Sequence, residues 1–206
     1  MNSSPAQPSA PRPPRRRVHT RARILSAAGE LFLSAGYART SIEDICTAAG
    51  YTRGAFYSNF TTKEDLVLAL FDEKAAERMT ELEHLAAAAE QLGPAERARR
   101  LVEALLRVEA AETRWILLFL EFRLLAARTS ELSDRVAAHD RTVTTAVAGL
   151  LERVLPELVP PGASAEQAAE VILAAREGLL ARTTAGGPAA EELLSAATAV
   201  LTGLLG

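Results

Sequence analysis

TSIEDICTAAGYTRGAFYSNFTTKEDL, residues 40–66, contains two short helical patterns separated by a glycine. The apolar residues that recur at helical spacing in these patterns are Ile42, Ile45, Ala49, Phe56 and Phe60. They predict helices over 40–49, opened by a capping box of Thr40 and Glu43, and over 52–59. Two short helices joined by a glycine-containing turn, here at Gly50, are typical of a helix-turn-helix.

The second of these helices has one face free for a partner, because Phe56 and Phe60 turn the opposite face inward. The residues expected to point outward or to lie at its N-terminal tip are Thr52, Arg53, Gly54, Ala55 and Ser58. The DNA major groove is wide enough to admit such a helix. Arg53 is the only side chain on it that can pair bidentately with guanine, which provides about 1–3 kcal/mol of discrimination.

The rest of the chain also predicts helices, because it is dominated by Ala, Leu, Glu and Arg and lacks long apolar–polar alternation. Ser164 and Gln167 predict a second capping box. The further helices are predicted over about 20–35, 61–93, 94–111, 112–128, 130–155, 164–183 and 189–205. The expected fold is therefore all-α, with about nine helices.

Charge is distributed unevenly along the chain, whose formal net charge is -3. Residues 1–60 contain eight arginines and three acidic residues, a net charge of +5, which leaves -8 for the remainder. A polyanion would be attracted to the first part and repelled by the second. We expect a disordered, proline-rich basic arm over 1–17, a helix-turn-helix domain over 18–66 and a larger helical domain over 67–206.

Several classes of protein are not expected. The longest bulky apolar run, residues 115–120, is far shorter than the roughly 20 residues that span a bilayer, and a signal peptide fits poorly. The single cysteine, Cys46, forms no intramolecular disulfide or cysteine-built metal site, which favours a cytoplasmic protein without metal or cofactor. G-x-S-x-G, H-E-x-x-H and P-loop motifs are absent, so an enzyme is not expected.

Residues 20–70 resemble the tetracycline-repressor (TetR) family of bacterial regulators. The resemblance rests on residues 40–66: a helix, a glycine turn, the Gly-x-Phe-Tyr run that ends at Tyr57, then Phe60 and Lys63-Glu64. The phosphate contacts that it implies are those of Tyr57, Lys63 and either Thr40 or Ser41. Relatives often carry histidine at the position of Asn59, so the resemblance leaves a phosphate and a base contact both open for this residue.

A cluster of arginines directly precedes the first predicted helix: Arg15, Arg16, Arg17 and Arg21. Basic arms of this kind place guanidinium groups in the minor groove next to the bound recognition helix. The alternative is a solvated run of charge. We predict the DNA contact.

The resemblance also implies that the larger domain dimerises and holds an inducer. Trp115, Phe119 and Phe122 lie together on one predicted helix beside Arg123, and an apolar pocket with a few polar groups is typical of a ligand site. His139 and Arg176 are weaker candidates. The alternative is that these aromatic side chains belong to an ordinary core.

Two apolar stripes near the C-terminus predict the dimer interface; the alternative is that both helices only close the core of one copy. They consist of Val171, Ile172, Ala175, Leu179, Leu193, Leu194, Ala197, Val200, Leu201 and Leu204. The predicted function is a homodimeric repressor that binds a near-palindromic operator and releases it on binding a small, largely apolar molecule. The alternatives are an activator, a regulator controlled by a partner protein, and a membrane-surface or scaffold protein.

Overall fold

The structure, a computed structural model, describes residues 15–107, 110–156, 159, 162–184 and 190–203. In this part of the chain it contains nine α-helices and no strand, which confirms the all-α prediction. The helices are α1 (Arg15–Ala35), α2 (Ile42–Ala49), α3 (Arg53–Tyr57), α4 (Lys63–Ala88), α5 (Pro94–Leu106), α6 (Ala110–Ala126), α7 (Ser130–Val154), α8 (Ala165–Thr184) and α9 (Ala190–Gly203). The chain divides into two compact units, Met1–Val67 and Leu68–Gly206.

The first unit has its core where α1, α2 and α3 meet. The fully buried side chains of this core include Ile24, Leu25, Phe32, Ile45 and Phe56. Cys46 is a free, buried thiol on α2. Helix α1 begins at Arg15, about five residues before its predicted start, so residues 15–17 are helical and do not belong to a disordered arm. The predicted arm over residues 1–14 lies outside the described residues.

The N-terminus of α2 is capped one residue later than predicted. Ser41 is the N-cap: its hydroxyl accepts the Asp44 N–H (3.1 Å), and the Asp44 carboxylate accepts the Ser41 N–H (2.9 Å). Thr40 is not the cap because its buried hydroxyl donates to the Gly36 carbonyl at 2.9 Å. The predicted Thr40–Glu43 box is therefore replaced by a Ser41–Asp44 box.

The turn between α2 and α3 requires a glycine. Gly50 has φ +73°, a left-handed conformation that side chains disfavour, and the Tyr51 N–H then donates to the Cys46 carbonyl at 2.9 Å. Thr52 follows as the N-cap of α3, its hydroxyl accepting the Ala55 N–H at 3.3 Å. The turn thus places three residues between the end of α2 and the start of α3.

The second unit packs α5, α7, α8 and α9 around one core. The capping box of Ser164 and Gln167 forms as predicted, with bonds of 2.9 and 3.2 Å, and opens α8. Residues 185–189, between α8 and α9, lie outside the described residues. None of the described helices is long and apolar enough to cross a membrane.

Candidate nucleic-acid interface and ligand cavity

Helix α3 is held by one face and free on the other. Phe56 (0% exposed) and Phe60 (5% exposed) anchor it, with ring centres 5.7 Å apart. Arg53, Gly54 and Ser58 are exposed on the same helix, and Tyr57 is half exposed. Because the two phenylalanines bury one face of α3, its polar face is exposed to solvent. A recognition helix contacts DNA through such a face.

Arg53 and Tyr57 provide the charged group and the aromatic hydroxyl group of this surface. A hydrogen bond to Tyr57 raises the pKa of the Arg53 guanidinium, and the nearby Glu43 adds to the shift. The Tyr57 ring also packs edge-on against Phe56, with centres 5.4 Å apart, so the buried side of α3 holds its position. An exposed cation and a half-exposed hydroxyl therefore lie one helical turn apart on α3, where both can contact base edges or phosphates.

Gly54 is a glycine that the fold itself does not need. An added Cβ would meet only the Thr52 hydroxyl oxygen, at the ordinary contact distance of 3.7 Å. Glycine inside a helix is less favourable than alanine by about 0.8–1.0 kcal/mol. The missing side chain is explained if a surface outside the chain approaches this position closely.

Two other predicted contacts are already engaged within the chain. The Asn59 amide donates to the Ala55 carbonyl at 2.8 Å and is half-buried. Ser58 donates its hydroxyl to the Gly54 carbonyl at 2.8 Å, although its side chain is exposed. Both side chains thus complete the C-terminal end of α3.

Lys63 binds the loop between α1 and α2. The sequence predicts a phosphate contact for it, whereas its ammonium donates to the carbonyls of Tyr37 (3.0 Å) and Thr40 (2.9 Å). It also lies 4.1 Å from the centre of the Tyr37 ring, and burial lowers its pKa. The Tyr37 hydroxyl donates to Glu64 at 2.6 Å. We call these four residues, Tyr37, Thr40, Lys63 and Glu64, the α4 clasp.

Tyr37 and Glu64 belong to the clasp although the sequence predicts no site role for either. Tyr37 is 3% exposed although it lies in a loop, and it supplies both a ring and a hydroxyl to the clasp. An aromatic residue directly after the helix-ending Gly36 is the only sequence signal that points to it. Of the two predicted alternatives for a phosphate contact at the start of α2, Ser41 is exposed and Thr40 is buried.

The arginines of α1 lie beside the end of α3. Arg17 donates to the Ser58 carbonyl at 2.9 Å, and Arg21 lies 5.2 Å from the centre of the Phe60 ring. Arg16 is exposed, and the Arg15 side chain lies outside the described part of the chain. The first turn of α1 contains no acidic residue. Several cations at a helix N-terminus are electrostatically unfavourable there unless an anion lies nearby.

The second unit contains a cavity of about 550 Å³ lined by α4, α5, α6, α7 and α8. Five of the six predicted ligand residues line it: Trp115, Phe119, Arg123, His139 and Arg176. The sixth, Phe122, is fully buried and lies outside the lining, packed 5.8 Å from the ring centre of Phe71. Phe122 therefore packs in the core of the unit and not at the cavity wall.

The predicted dimer stripes divide into buried and exposed parts. Ile172 is 4% exposed, whereas Val171 and Val200 are 57% and 64% exposed. The stripe residues that pack against the core of the unit are Ala175, Leu179, Leu194 and Ala197. Leu193 is half-buried, and the side chains of Leu201 and Leu204 lie outside the described residues. Only part of each stripe is thus available to a second copy.

A small helical unit with an exposed, basic second helix of a helix-turn-helix defines a DNA-binding protein. Residues 24–70 match the model of the bacterial regulatory proteins of the tetR family. Residues 94–206, more than half of the chain, match the C-terminal model of BetI-type transcriptional repressors. The chain belongs to the TetR family of bacterial transcriptional regulators. It is a DNA-binding regulator and not an enzyme.

Curated relatives resemble the chain over its DNA-binding part. The regulator TtgR of Pseudomonas putida is 51% identical over 53 residues, which cover 26% of this chain and 25% of that protein. The regulator YwcC of Bacillus subtilis is 39% identical over 51 residues, 25% of this chain and 23% of that protein. The matches thus span about a quarter of the length of these relatives.

Solved structures resemble nearly the whole chain. A candidate transcriptional regulator from Rhodococcus sp. RHA1 has a TM-score of 0.69 at 28% identity and covers 90% of this chain and 95% of its own. A TetR transcription regulator from Haloarcula marismortui has a TM-score of 0.66 at 21% identity, covering 91% and 96%. The latter similarity is one of fold.

Proposed function

We propose that two copies of this chain bind a near-palindromic operator as a homodimeric repressor, which a small, largely apolar ligand releases. The exposed face of α3 carries this proposal. It presents Arg53 for base recognition, Tyr57 for a phosphate, and Gly54 for close approach. A five-residue helix contacts few base pairs, and two copies of the chain would double the number of base pairs contacted.

We propose that phosphate contacts from three helices position the first unit on DNA. We assign them to Ser41 at the start of α2, to Tyr57 on α3 and to Arg16 on α1, which are all exposed in the first unit. We assign the α4 clasp a positioning role, because its ammonium already binds two carbonyls. Salt dependence of operator binding should therefore come mainly from the arginines and not from Lys63.

The dimer is proposed to form through the exposed faces of α8 and α9. On α8 the exposed positions Val171, Ala174, Gly178 and Ala181 recur at helical spacing, and α9 adds the exposed Val200. Small residues in such a stripe allow two helices to approach closely. An added Cβ at Gly178 would meet nothing within 4 Å in the single chain, so the space there is open to a partner helix.

The cavity of the second unit supports the ligand-responsive part of the proposal. Its volume of about 550 Å³ lies in the range of 300–1,000 Å³ typical of small-molecule sites. A ligand that fits only one arrangement of the two copies would shift operator affinity by its difference in affinity for the two arrangements. The protein would act in the cytoplasm, where its DNA lies.

Selection of bound DNA from a random pool tests the DNA-binding part. We expect an enriched site with two related half-sites one or two helical turns apart, and footprinting that places it over a promoter. Arg53→Ala is the matched variant, and it should enrich a broader set of sequences. Enrichment of a single half-site would contradict the homodimer, and protection of only distant upstream sites would favour an activator.

A further inference from the structure

The cavity carries more negative than positive charge. Its lining contains six carboxylates and four permanent cations, with His139 apart. The carboxylates are Glu77, Glu81, Glu112, Asp140, Glu170 and Glu177; the cations are Lys74, Arg78, Arg123 and Arg176. A ligand of this cavity therefore meets a surplus of negative charge, which an apolar molecule would leave uncompensated.

The two least exposed cations of the lining, Arg78 and Arg176, are already paired with carboxylates. Glu112 lies 3.1 Å from Arg176 and 3.6 Å from Arg78, and Arg78 also bonds Glu81 at 3.1 Å. Burial lowers the pKa of Arg176, and Glu112 opposes this shift. These two cations thus have carboxylate partners, and an anionic ligand would have to compete with Glu112.

Where α6, α7 and α8 meet, carboxylates outnumber cations. Asp140 and Glu177 share one cation: the same Nη2 of Arg123 donates to Asp140 at 2.8 Å and to Glu177 at 3.4 Å. Because both oxygens contact one nitrogen atom, a single further ammonium group can reach both carboxylates. All three side chains are about one third exposed, so a ligand has access to them.

Ionisation of Glu177 in this pair is disfavoured, chiefly because the carboxylate is buried. Burial raises the pKa of Glu177, and Asp140 raises it further, against the opposing effects of Arg123 and Arg176. A carboxylate in this position gains most from a second cation, since ionisation then costs less.

Aromatic rings beside the pair already bind cations. The Arg123 guanidinium lies 4.8 Å from the centre of the Phe119 ring, and the Lys74 ammonium lies 5.2 Å from the centre of Trp115. Phe71 packs edge-on against Phe119, with centres 4.8 Å apart. Ring faces attract cations, and their apolar area accommodates a hydrocarbon body.

We propose that the ligand is an organic cation whose apolar body fills the aromatic part of the cavity and whose ammonium or amidinium group binds Asp140 and Glu177. This inference rests on the proposed ligand-responsive function and adds the charge of the ligand to it. The ammonium compensates the surplus carboxylate, while the rings of Phe119 and Trp115 contact the body of the ligand.

Three probes with the same 4-phenylbutyl body and different head groups test the inference: 4-phenylbutylamine, 4-phenylbutanol and 5-phenylvalerate. Trp115 is the only tryptophan of the chain and lines the cavity, so its fluorescence reports on binding in the absence of DNA. We expect the amine to bind about tenfold or more tightly than the alcohol, because its hydrogen bonds are charge-assisted, and the carboxylate to bind most weakly. The double variant Asp140→Asn/Glu177→Gln should lose this preference.

Glu166→Gln is the matched control, because Glu166 is exposed on α8 and lies outside the cavity lining; it should keep the preference. Circular dichroism checks that each variant is folded. Equal or tighter binding of the alcohol or the carboxylate, no binding of any probe, or an amine preference that survives in the folded double variant would each overturn the inference. Operator release is measured separately on the wild-type dimer, so the regulatory proposal can fail or hold independently of the ligand charge.

Discussion

Gly54→Ala should make the protein more stable and its DNA binding weaker. The added methyl group meets only the Thr52 hydroxyl oxygen at 3.7 Å, so the chain accommodates it without a clash. Replacing glycine by alanine in a helix then stabilises the folded state by about 0.5–1 kcal/mol. If DNA approaches Gly54 closely, the same methyl group overpacks the interface, which costs about 1–3 kcal/mol of binding, or roughly 5- to 150-fold in affinity.

Denaturation followed by far-UV circular dichroism and operator binding followed by fluorescence anisotropy measure the two effects. Trp115 lies in the second unit, so its fluorescence is no substitute for circular dichroism. The control is Gly149→Ala on α7, where the new methyl group meets the flexible end of Arg153 at 3.4 Å. It should leave operator affinity unchanged. Wild-type operator affinity of Gly54→Ala would refute the close approach, and a lower stability would refute the helix argument.

Four further results are expected. Arg53→Ala should relax sequence preference in DNA selection; an equal loss on all sequences would assign Arg53 to phosphate instead. Lys63→Ala should lower the free energy of unfolding by about 1–3 kcal/mol, because two carbonyls lose their donor, with an unchanged salt slope; a slope smaller by about one would reveal a phosphate contact. Gly178→Ala should weaken the dimer in sedimentation equilibrium, and an undisturbed dimer would place the interface elsewhere. The affinity for 4-phenylbutylamine should rise with pH through the raised pKa of Glu177, because the cation favours the ionised carboxylate, and Glu177→Gln should flatten that profile.

The sequence predicted the helices well and their ends less well. Apolar spacing is a property of each segment, so α2 and α3 follow from residues 40–60 alone. The sequence of these residues does not decide between Thr40 and Ser41 as the N-cap of α2, because both side chains carry a hydroxyl that can cap a helix. The Gly36 carbonyl accepts a hydrogen bond from the Thr40 hydroxyl and leaves the cap to Ser41, and apolar spacing gives no information about this turn after α1.

The site was predictable to the extent that it lies on one helix. Arg53 and Tyr57 follow from the position of Phe56 on α3, since the helical period fixes which residues oppose the buried ring. Lys63 shows the limit of this reasoning. A lysine in the first turn of a helix looks like a free cation, and only the loop from α1 brings the Tyr37 carbonyl to it.

Which residues of α6 face the core and which face the cavity could not be predicted, for a different reason. This helix is apolar on all sides: Phe122 is fully buried while Leu124 is 73% exposed. A helix without a polar face gives no sequence signal for which aromatic residue meets a cavity, so Phe119 and Phe122 looked equivalent.

The charge of the ligand lies beyond sequence reasoning altogether. The aromatic residues of one helix predict an apolar ligand, because they are adjacent in sequence and visible together. Arg123, Asp140 and Glu177 come from three helices, and no spacing relates them. Their meeting changes the expected ligand from an apolar molecule to an amphipathic cation, since two carboxylates that share one guanidinium favour a further positive charge. The proposed preference for a cationic ligand therefore depends on contacts that form only through tertiary packing.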